Sequence, residues 1–178
     1  MTWQPEEFEE LAGELRRRVE AEFRSEAEEV EHLAQLQRKR KAVLRDVART
    51  AMHQGQRVTL SSAGDEWSGE LLAVGADYLT LQTRAVLLDA RLDSVALRLA
   101  PAREGGHTGQ PGSDTFKARL TEFEMTGEEL RVRCRVPVIE LTGVIDVVAA
   151  DHVEMRCPDE RCYLPLDGVF MVIRPLPE

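Results

Sequence analysis

Residues 57–101 read RVTLSSAGDEWSGELLAVGADYLTLQTRAVLLDARLDSVALRLAP, and residues 131–175 read RVRCRVPVIELTGVIDVVAADHVEMRCPDERCYLPLDGVFMVIRP. Without a gap, eleven of the 45 aligned positions are identical. The identical pairs are Arg57/Arg131, Val58/Val132, Glu66/Glu140, Gly69/Gly143, Val74/Val148, Ala76/Ala150, Asp77/Asp151, Leu92/Leu166, Asp93/Asp167, Val95/Val169 and Pro101/Pro175. A glycine, an aspartate and a closing proline recur in one frame. The sequence therefore predicts an internal duplication.

Each copy consists of short segments of alternating apolar and polar residues bounded by glycine and aspartate, a pattern typical of antiparallel strands. We expect five strands per copy, closed into a small barrel that hides its edges. Gly69 and Gly143 fall in mid-strand, where a small barrel bends sharply and a side chain would clash. Asp77 and Asp151 follow a tight turn, where a carboxylate can accept hydrogen bonds from turn amides.

The N-terminal residues 1–54 are predicted to form one long amphipathic helix. Pro5 suits a first helical turn, and between it and Met52 there is no further proline and one glycine. Apolar residues recur mostly every four positions from Phe8 to Val47. Such a stripe is covered either by the rest of the chain or by another helix. We therefore expect a protein partner or self-association through this helix.

The expected fold class is α+β, with the long helix followed by two tandem five-stranded barrels. The first barrel occupies residues 55–101, and residues 102–113 form a Gly-rich linker between the barrels. Residues 114–178 then contain a short helix, beginning in FKARLTEFEMTGEE, and the second barrel.

The spacing within each copy resembles a known family. The first copy carries the frame Gly69-x-Leu71-x-x-Val74-x-x-Asp77-x-Leu79-x-Leu81 and then Leu92-Asp93-Ser94-Val95, and the second copy repeats it from Gly143 to Val169. This frame resembles Sm-like (Hfq/LSm-type) small barrels and, more loosely, SH3-like barrels, over about half of the chain. The preceding helix is also similar to the Sm-like layout. The resemblance implies ring assembly and binding of single-stranded RNA.

Two departures from the Sm-like pattern bear on RNA. The family has an Arg-Gly or Lys-Gly step before the last strand, whereas this chain has Asp93-Ser94 and Asp167-Gly168. Thr80 and Glu154 stand near the position of the family's uridine-binding Asn. Because a carboxylate repels phosphate, these residues disfavour RNA as a partner.

Charge is the next indicator of partners, and the chain carries a net charge of −9. The one basic concentration is the run Arg38, Lys39, Arg40 and Lys41 near the end of the predicted helix. These side chains are the candidate contacts for a polyanion. On a helix they point around the whole circumference, and no aromatic residue lies beside them to stack on a base. Solvation, or balance of the acidic segment upstream, explains them equally well.

The cysteines raise the question of a metal. Cys157 and Cys162 flank a turn, and Cys134 and His152 belong to the same copy, so four ligands could suit tetrahedral zinc. The first copy has Thr83 and Leu88 at the positions of Cys157 and Cys162, so the fold does not require a metal. We expect reduced thiols and no metal, and whether these four residues converge stays open.

Several classes of protein are disfavoured by missing signatures. The sequence contains no phosphate-binding loop, no dinucleotide fingerprint, no nucleophile elbow and no zinc-protease motif. It has no run of about 18 apolar residues and no secretory leader pattern. We therefore expect a cytoplasmic, non-enzymatic adaptor or regulatory protein, without catalytic residues or cofactor, acting through protein–protein contacts. The alternative is an Sm-like RNA-binding post-transcriptional regulator.

Overall fold

The computed structural model describes residues 5–102, 105–106, 108–109 and 112–176, with the side chains of residues 5–12, 14 and 25 outside the description. The fold is α+β. The chain divides into two compact units, Met1–Ala42 and Val43–Glu178. No described helix is long and apolar enough to cross a membrane.

The predicted N-terminal helix is two helices in the structure. Helix α1 spans Pro5–Lys41 and helix α2 spans Leu44–His53, with Val43 in extended conformation between them. No glycine or proline marks this break. Helix α2 buries Ala48, Ala51 and Met52 in a core, so tertiary packing sets its direction. In α1 most described apolar side chains, such as Phe23, are exposed, whereas Leu36 is half-buried. Phe8 lies outside the described side chains.

Ten strands and a third helix follow. Helix α3 spans Phe116–Thr126. Its first turn is capped by Thr115, whose hydroxyl accepts a hydrogen bond from the Ala118 amide, and its end by Gly127 in the left-handed region. The strands are β1 Val58–Ser62, β2 Asp65–Val74, β3 Tyr78–Gln82, β4 Val86–Arg91, β5 Ala96–Leu99, β6 Glu129–Arg135, β7 Val138–Val148, β8 His152–Arg156, β9 Arg161–Pro165 and β10 Val169–Pro175.

All ten strands belong to one antiparallel sheet in the order β5-β1-β2-β3-β4-β10-β6-β7-β8-β9. Each half therefore has the order last-first-second-third-fourth, and the halves join where β4 pairs with β10. Because the order ends at β5 and β9, the sheet is open. The prediction of two separately closed barrels is not confirmed. Of the predicted linker, the described residues form neither helix nor strand, and residues 103–104, 107 and 110–111 lie outside the description.

The two halves share their strand register from the second strand to the fourth. Leu71 pairs with Leu81 before a bulge in β2, and Ile145 pairs with Met155 before the same bulge in β7. The first strands differ from the gapless alignment. Val58 lies opposite Gly69, whereas the residue opposite Gly143 is Leu130. The aligned pairs Arg57/Arg131 and Val58/Val132 are therefore not structural counterparts, because the β6–β7 hairpin is one residue pair longer than the β1–β2 hairpin.

Gly69 and Gly143 sit where two backbones nearly touch. A Cβ atom on Gly69 would overlap the carbonyl of Gln82, and one on Gly143 would overlap the carbonyl of Arg156. The expected clash is therefore present, with the end of the third strand of each half as the obstacle. Glycine is needed at both positions for close approach.

The unit Val43–Glu178 has two hydrophobic cores, one per half. Leu60, Leu71 and Leu88 belong to the first core, and Phe116, Ile145 and Met155 belong to the second. Strand β10 serves both, because Met171 and Ile173 lie in the first core whereas Val169 and Val172 lie in the second. The junction of the halves is thus part of both cores.

Candidate functional site

The turn between β6 and β7 and the first residues of β7 present apolar side chains to solvent. Val138 is 89% exposed, and Val136 and Ile139 are exposed beside it. This turn lies in the extra length of the second half's first hairpin. A group of exposed apolar residues on one hairpin is typical of a surface that contacts another molecule.

An open cavity of about 420 Å³ lies beside this hairpin. Its apolar lining comes from Ala63, Cys134, Val138, Ile139 and Phe170, and its polar lining from Ser62, Ser94, Arg133, Arg135 and Glu140. The cavity therefore combines residues of both halves. Its volume is in the range of binding pockets, about 300–1,000 Å³, and it is large enough for an apolar side chain of a partner.

Arg133 forms one wall of the cavity and is held from several sides. Its guanidinium lies 2.7 Å from Asp65 and 3.2 Å from Glu140. It also lies 5.4 Å from the centre of the Trp67 ring and 5.9 Å from that of Phe170. With its charge balanced and its stem packed, Arg133 supports the wall of the pocket.

Ser94 and Arg135 line the same cavity, and Asp93 contacts both of them. The Arg135 Nη1 donates a hydrogen bond to the Ser94 hydroxyl at 2.9 Å, and its Nη2 lies 3.8 Å from Asp93. Burial alone would raise the pKa of Asp93, but the hydrogen bond from Ser94 and the charges of Arg91 and Arg135 hold it below its ordinary value. Asp93 is thus ionised and paired with arginines. A negatively charged carboxylate at this position is unfavourable for contact with RNA phosphate.

The two aspartates that recur in the internal repeat, Asp77 and Asp151, have different partners. Asp77 Oδ1 accepts a hydrogen bond of 2.7 Å from the Phe116 amide, so it caps helix α3 of the other half rather than an amide of its own turn. Asp151 is exposed, and its Oδ1 lies 2.7 Å from His152 Nδ1. That hydrogen bond, with the charge of His152, lowers the pKa of Asp151. Sequence reasoning found both residues but missed the helix cap.

A buried ionic cluster, which sequence reasoning missed, lies at the junction of the halves. Asp89 is fully buried in β4. Its carboxylate accepts hydrogen bonds from Thr80 Oγ1 at 2.7 Å, Arg119 Nε at 3.1 Å and Arg174 Nε at 3.3 Å. Both guanidinium groups also lie over the Phe123 ring. The signal in the sequence is an acid inside the apolar strand VLLDA, which requires cationic partners.

Beside this cluster, Tyr78 connects β3 to the segment before α3 through a hydrogen bond and a ring contact. Its hydroxyl donates a hydrogen bond of 2.9 Å to the Ser113 carbonyl, and its ring lies 6.2 Å from that of Phe116. Burial raises the pKa of Tyr78 to about 12, so the phenol keeps its proton. Tyr78 acts as a packing residue.

The candidate polyanion residues Arg38, Lys39, Arg40 and Lys41 occupy the last turn of α1 and are exposed. Cations there are favourable because the carbonyl end of a helix is partially negative. Arg38 Nε also donates a hydrogen bond to the Ala34 carbonyl at 3.4 Å. These contacts are those of a solvated helix end.

The thiols and His152 do not form a metal site. Cys157 Sγ lies 3.5 Å from Cys162 Sγ, and their hydrogen bond, followed by burial, raises the pKa of Cys162 to about 11. Cys134 is buried and donates to the Val136 carbonyl. Among the described residues, no group of three or more His, Cys, Asp or Glu side chains could hold a metal ion. All three cysteines are free.

No protein-family model matches this chain, and no curated protein matches it.

Proposed function

We propose that this chain is a non-enzymatic adaptor or regulatory protein that binds other proteins. The observation that carries the proposal is the group of exposed apolar residues Val136, Val138 and Ile139 on the β6–β7 hairpin, beside a cavity that Phe170 helps to line. Together they form a concave apolar surface with a charged rim, which suits an apolar side chain of an extended peptide segment.

Helix α1 supports the same proposal. Three of its apolar residues, Leu15, Phe23 and Val30, are each about two-thirds exposed. A helix that exposes an apolar stripe gains stability when a second helix covers it. We therefore include recruitment of a partner, or self-association, through α1. A cytoplasmic location and the absence of a cofactor belong to the proposal, and the three free thiols support the location.

We further propose that each half is an Sm-like or SH3-like small barrel. A helix precedes five antiparallel strands in each half, and the order last-first-second-third-fourth supports the assignment. The mid-strand glycines in close contact with the third strand support it as well.

The test uses the full chain as bait in cells, with Val138→Asp as the disabling variant. Met125→Asp is the matched control, since Met125 is an exposed apolar residue outside the hairpin and the cavity. We expect a set of partner proteins that is retained by the control, lost with Val138→Asp and insensitive to RNase. Partners retained by both variants would contradict the proposed site.

The second candidate function is Sm-like RNA binding, favoured by the strand order and by the basic end of α1. Because Asp77 and Asp93 are engaged within the protein, any binding is expected to run through Arg38, Lys39, Arg40 and Lys41. Such binding would be insensitive to sequence and would weaken steeply with salt. Replacement of the four residues by alanine should abolish it at low salt. Sequence-selective binding that persists in this variant at physiological salt would put the RNA function first.

A further inference from the structure

Two thiols of the second half lie close together on the β8–β9 hairpin. Cys157 stands directly before the turn, where its amide donates a hydrogen bond of 2.9 Å to the Glu160 carbonyl. Cys162 lies on β9 opposite Met155 of β8. Because side chains alternate along a strand, Cys157 and Cys162 point to the same face of the hairpin. Their sulfur atoms are 3.5 Å apart, so a small movement brings them to the distance of about 2.0 Å at which two sulfurs bond.

The backbone at Cys157 is fixed before any bond forms. Strand β7 approaches it at Gly143, where an added Cβ atom would lie 3.2 Å from the Cys157 Cα atom. The hydrogen bond to Glu160 holds the backbone on the side of the turn. Because an ordered backbone has little conformational entropy left to lose, joining the two side chains requires little reorganisation of the chain.

The corresponding hairpin of the first half shows that this turn does not need a thiol. The β3–β4 hairpin has the register of β8–β9, and Thr83, 74 residues earlier, is the counterpart of Cys157. The Thr83 hydroxyl bonds within its own turn, donating to the Val86 carbonyl and accepting from the Val86 amide, both at 3.0 Å. Among the described residues, Cys157 Sγ makes no bond of this kind and contacts Cys162 Sγ instead. The Cys157 side chain therefore serves the thiol pair and not the turn.

The position of Cys162 is more accessible than its counterpart in the first half. That counterpart, Leu88, is fully buried and lies opposite Ile173 of β10. Strand β9 ends the sheet, with β8 as its neighbour, and Cys162 is half-buried. The next pair at the same spacing shows the same contrast, because Asp89 is fully buried whereas Tyr163 is 60% exposed. A small molecule in solution can therefore reach the thiol pair.

The two thiols differ in the ease with which they ionise. The hydrogen bond with Cys157, followed by burial, raises the pKa of Cys162 to about 11, so Cys162 keeps its proton at neutral pH. Since the thiolate is the form that reacts with an oxidant, Cys157 reacts first and Cys162 resolves the product. Cys134 is outside the pair, because it is buried and donates to the Val136 carbonyl.

We propose that Cys157 and Cys162 form a reversible redox site that reacts with peroxides. The Cys157 sulfur attacks one peroxide oxygen, the O–O bond breaks, and Cys157 becomes a sulfenic acid while one water is released. The Cys162 sulfur then displaces the sulfenic oxygen, so that the S–S bond forms and a second water leaves with the remaining proton. The two thiols lose two electrons and two protons, and the peroxide is reduced to water.

A small thiol such as glutathione returns the pair to its reduced form by thiol–disulfide exchange. The site is thus compatible with a reducing compartment, where protein disulfides are transient. It is independent of the proposed function, since neither Cys157 nor Cys162 lines the cavity beside the β6–β7 hairpin.

The first test is oxidation of the full chain by a small molar excess of hydrogen peroxide. Trypsin cleaves after Arg156 and Arg161, so Cys157 and Cys162 fall in different peptides. Mass spectrometry is expected to show the loss of two hydrogen atoms from the chain and a disulfide that joins these two peptides. Dithiothreitol should reverse both changes. Oxidised protein in which the two peptides stay unlinked, or in which Cys134 is the linked residue, would overturn the proposal.

The second test uses oxidised glutathione as the probe and separates the roles of the two thiols. In Cys162→Ser the Cys157 thiol should keep a glutathione adduct, because no second thiol displaces it. In the wild type, and in the matched control Cys134→Ala, the adduct should be at least about tenfold less abundant, because Cys162 displaces glutathione and forms the internal disulfide. Equal amounts of adduct in the wild type and in Cys162→Ser would overturn the pairing.

A third measurement does not depend on oxidation. Phenylarsine oxide bonds to two neighbouring thiols at once and releases water, and a single thiol holds it only weakly. The wild type and Cys134→Ala should retain the arsenical when an excess of a monothiol is added, whereas Cys157→Ser and Cys162→Ser should lose it. Retention by either serine variant would show that the second sulfur comes from elsewhere and would overturn the proposed pair.

Oxidation is also expected to hold the end strand more firmly in the sheet. Strand β9, Arg161–Pro165, has β8 as its neighbour and no strand on its other side within the described sheet. Because such strands open locally more readily than central ones, the disulfide should slow amide hydrogen exchange in β9 and leave exchange in β4 unchanged. Equal exchange in the reduced and oxidised chains would overturn this consequence of the redox site.

Discussion

Strand β4 of the first half and β9 of the second follow one backbone plan, yet they carry different side chains where each meets its surroundings. Asp89 in β4 is fully buried and held by Arg119 and Arg174, whereas Tyr163 in β9 is mostly exposed. The strand arrangement that the halves share requires only alternating apolar residues and the two mid-strand glycines, Gly69 and Gly143. The remaining positions are set by what each half faces, which is the other half for β4 and the outside of the chain for β9.

The largest effect is expected at the feature that the halves share. Gly69→Val and Gly143→Val should each lower the free energy of unfolding by about 4 kcal/mol, because the new side chain overlaps a backbone carbonyl that cannot move cheaply. Denaturant melts measure this. The matched controls are Glu70→Val and Thr142→Val at neighbouring exposed positions. Melts of the glycine variants that coincide with those of the controls would show that close approach does not require glycine.

The next effect separates the halves. Asp89→Asn leaves two arginines without their carboxylate in a buried site, and we expect a loss of about 3 kcal/mol. Tyr163→Phe, at the counterpart position, should change stability by less than about 0.5 kcal/mol. Urea unfolding of both variants makes the comparison. Equal losses would mean that the side chain at the junction of the halves contributes no more to the free energy of unfolding than the side chain at the exposed edge strand.

Much of the fold follows from the sequence because its signals are local. Alternation and turn residues predicted the strands, and the run beginning at Phe116 predicted helix α3. The break after α1 and the two-residue insertion in the β6–β7 hairpin were not predictable in this way. No helix-breaking residue stands at Ala42. Arg131 and Val132 have the same residue types as Arg57 and Val58 in the gapless alignment, but strand pairing in the structure places them at different positions of the hairpin.

The candidate site was less predictable than the fold. Val136, Val138 and Ile139 continue an apolar run, and apolar residues in a strand are ordinarily assigned to the core. Their exposure results from the extra length of the hairpin, which only the register reveals. In the same way, an aspartate within VLLDA indicates a buried charge but does not identify Arg119 and Arg174, which are 30 and 85 residues away, as its partners.

A smaller effect is expected for the paired aspartates. Asp77→Ala removes the acceptor of the Phe116 amide at the start of helix α3, while the Thr115 cap stays, and should cost about 1 kcal/mol. Asp151→Ala removes only an exposed contact with His152, so the free energy of unfolding should stay at the wild-type value. Chemical unfolding at a protein concentration at which the protein is monomeric measures both changes in stability. A larger loss of stability for Asp151→Ala than for Asp77→Ala would contradict the distinction between an aspartate that binds a helix amide and one that does not.

The smallest effect concerns pH and separates Asp93 from its counterpart Asp167. Because the pKa of Asp93 in the folded chain lies below its ordinary value of 3.8, the unfolded chain binds the proton more readily. The contribution of Asp93 is therefore complete at neutral pH and is lost as pH falls from about 5. As Asp93 is half exposed, the loss should be a few tenths of a kcal/mol.

Asp93→Asn should flatten this part of the stability curve when urea melts are compared between neutral pH and pH 4. Asp167→Asn is the control, since the Asp167 carboxylate makes no ion pair with any described residue. It should leave the curve unchanged, because Arg135 reaches the Asp167 backbone carbonyl and not its side chain. If the two variants flatten the curve equally, the ion pairs of Asp93 with Arg91 and Arg135 contribute nothing to stability, and the halves do not differ at this position.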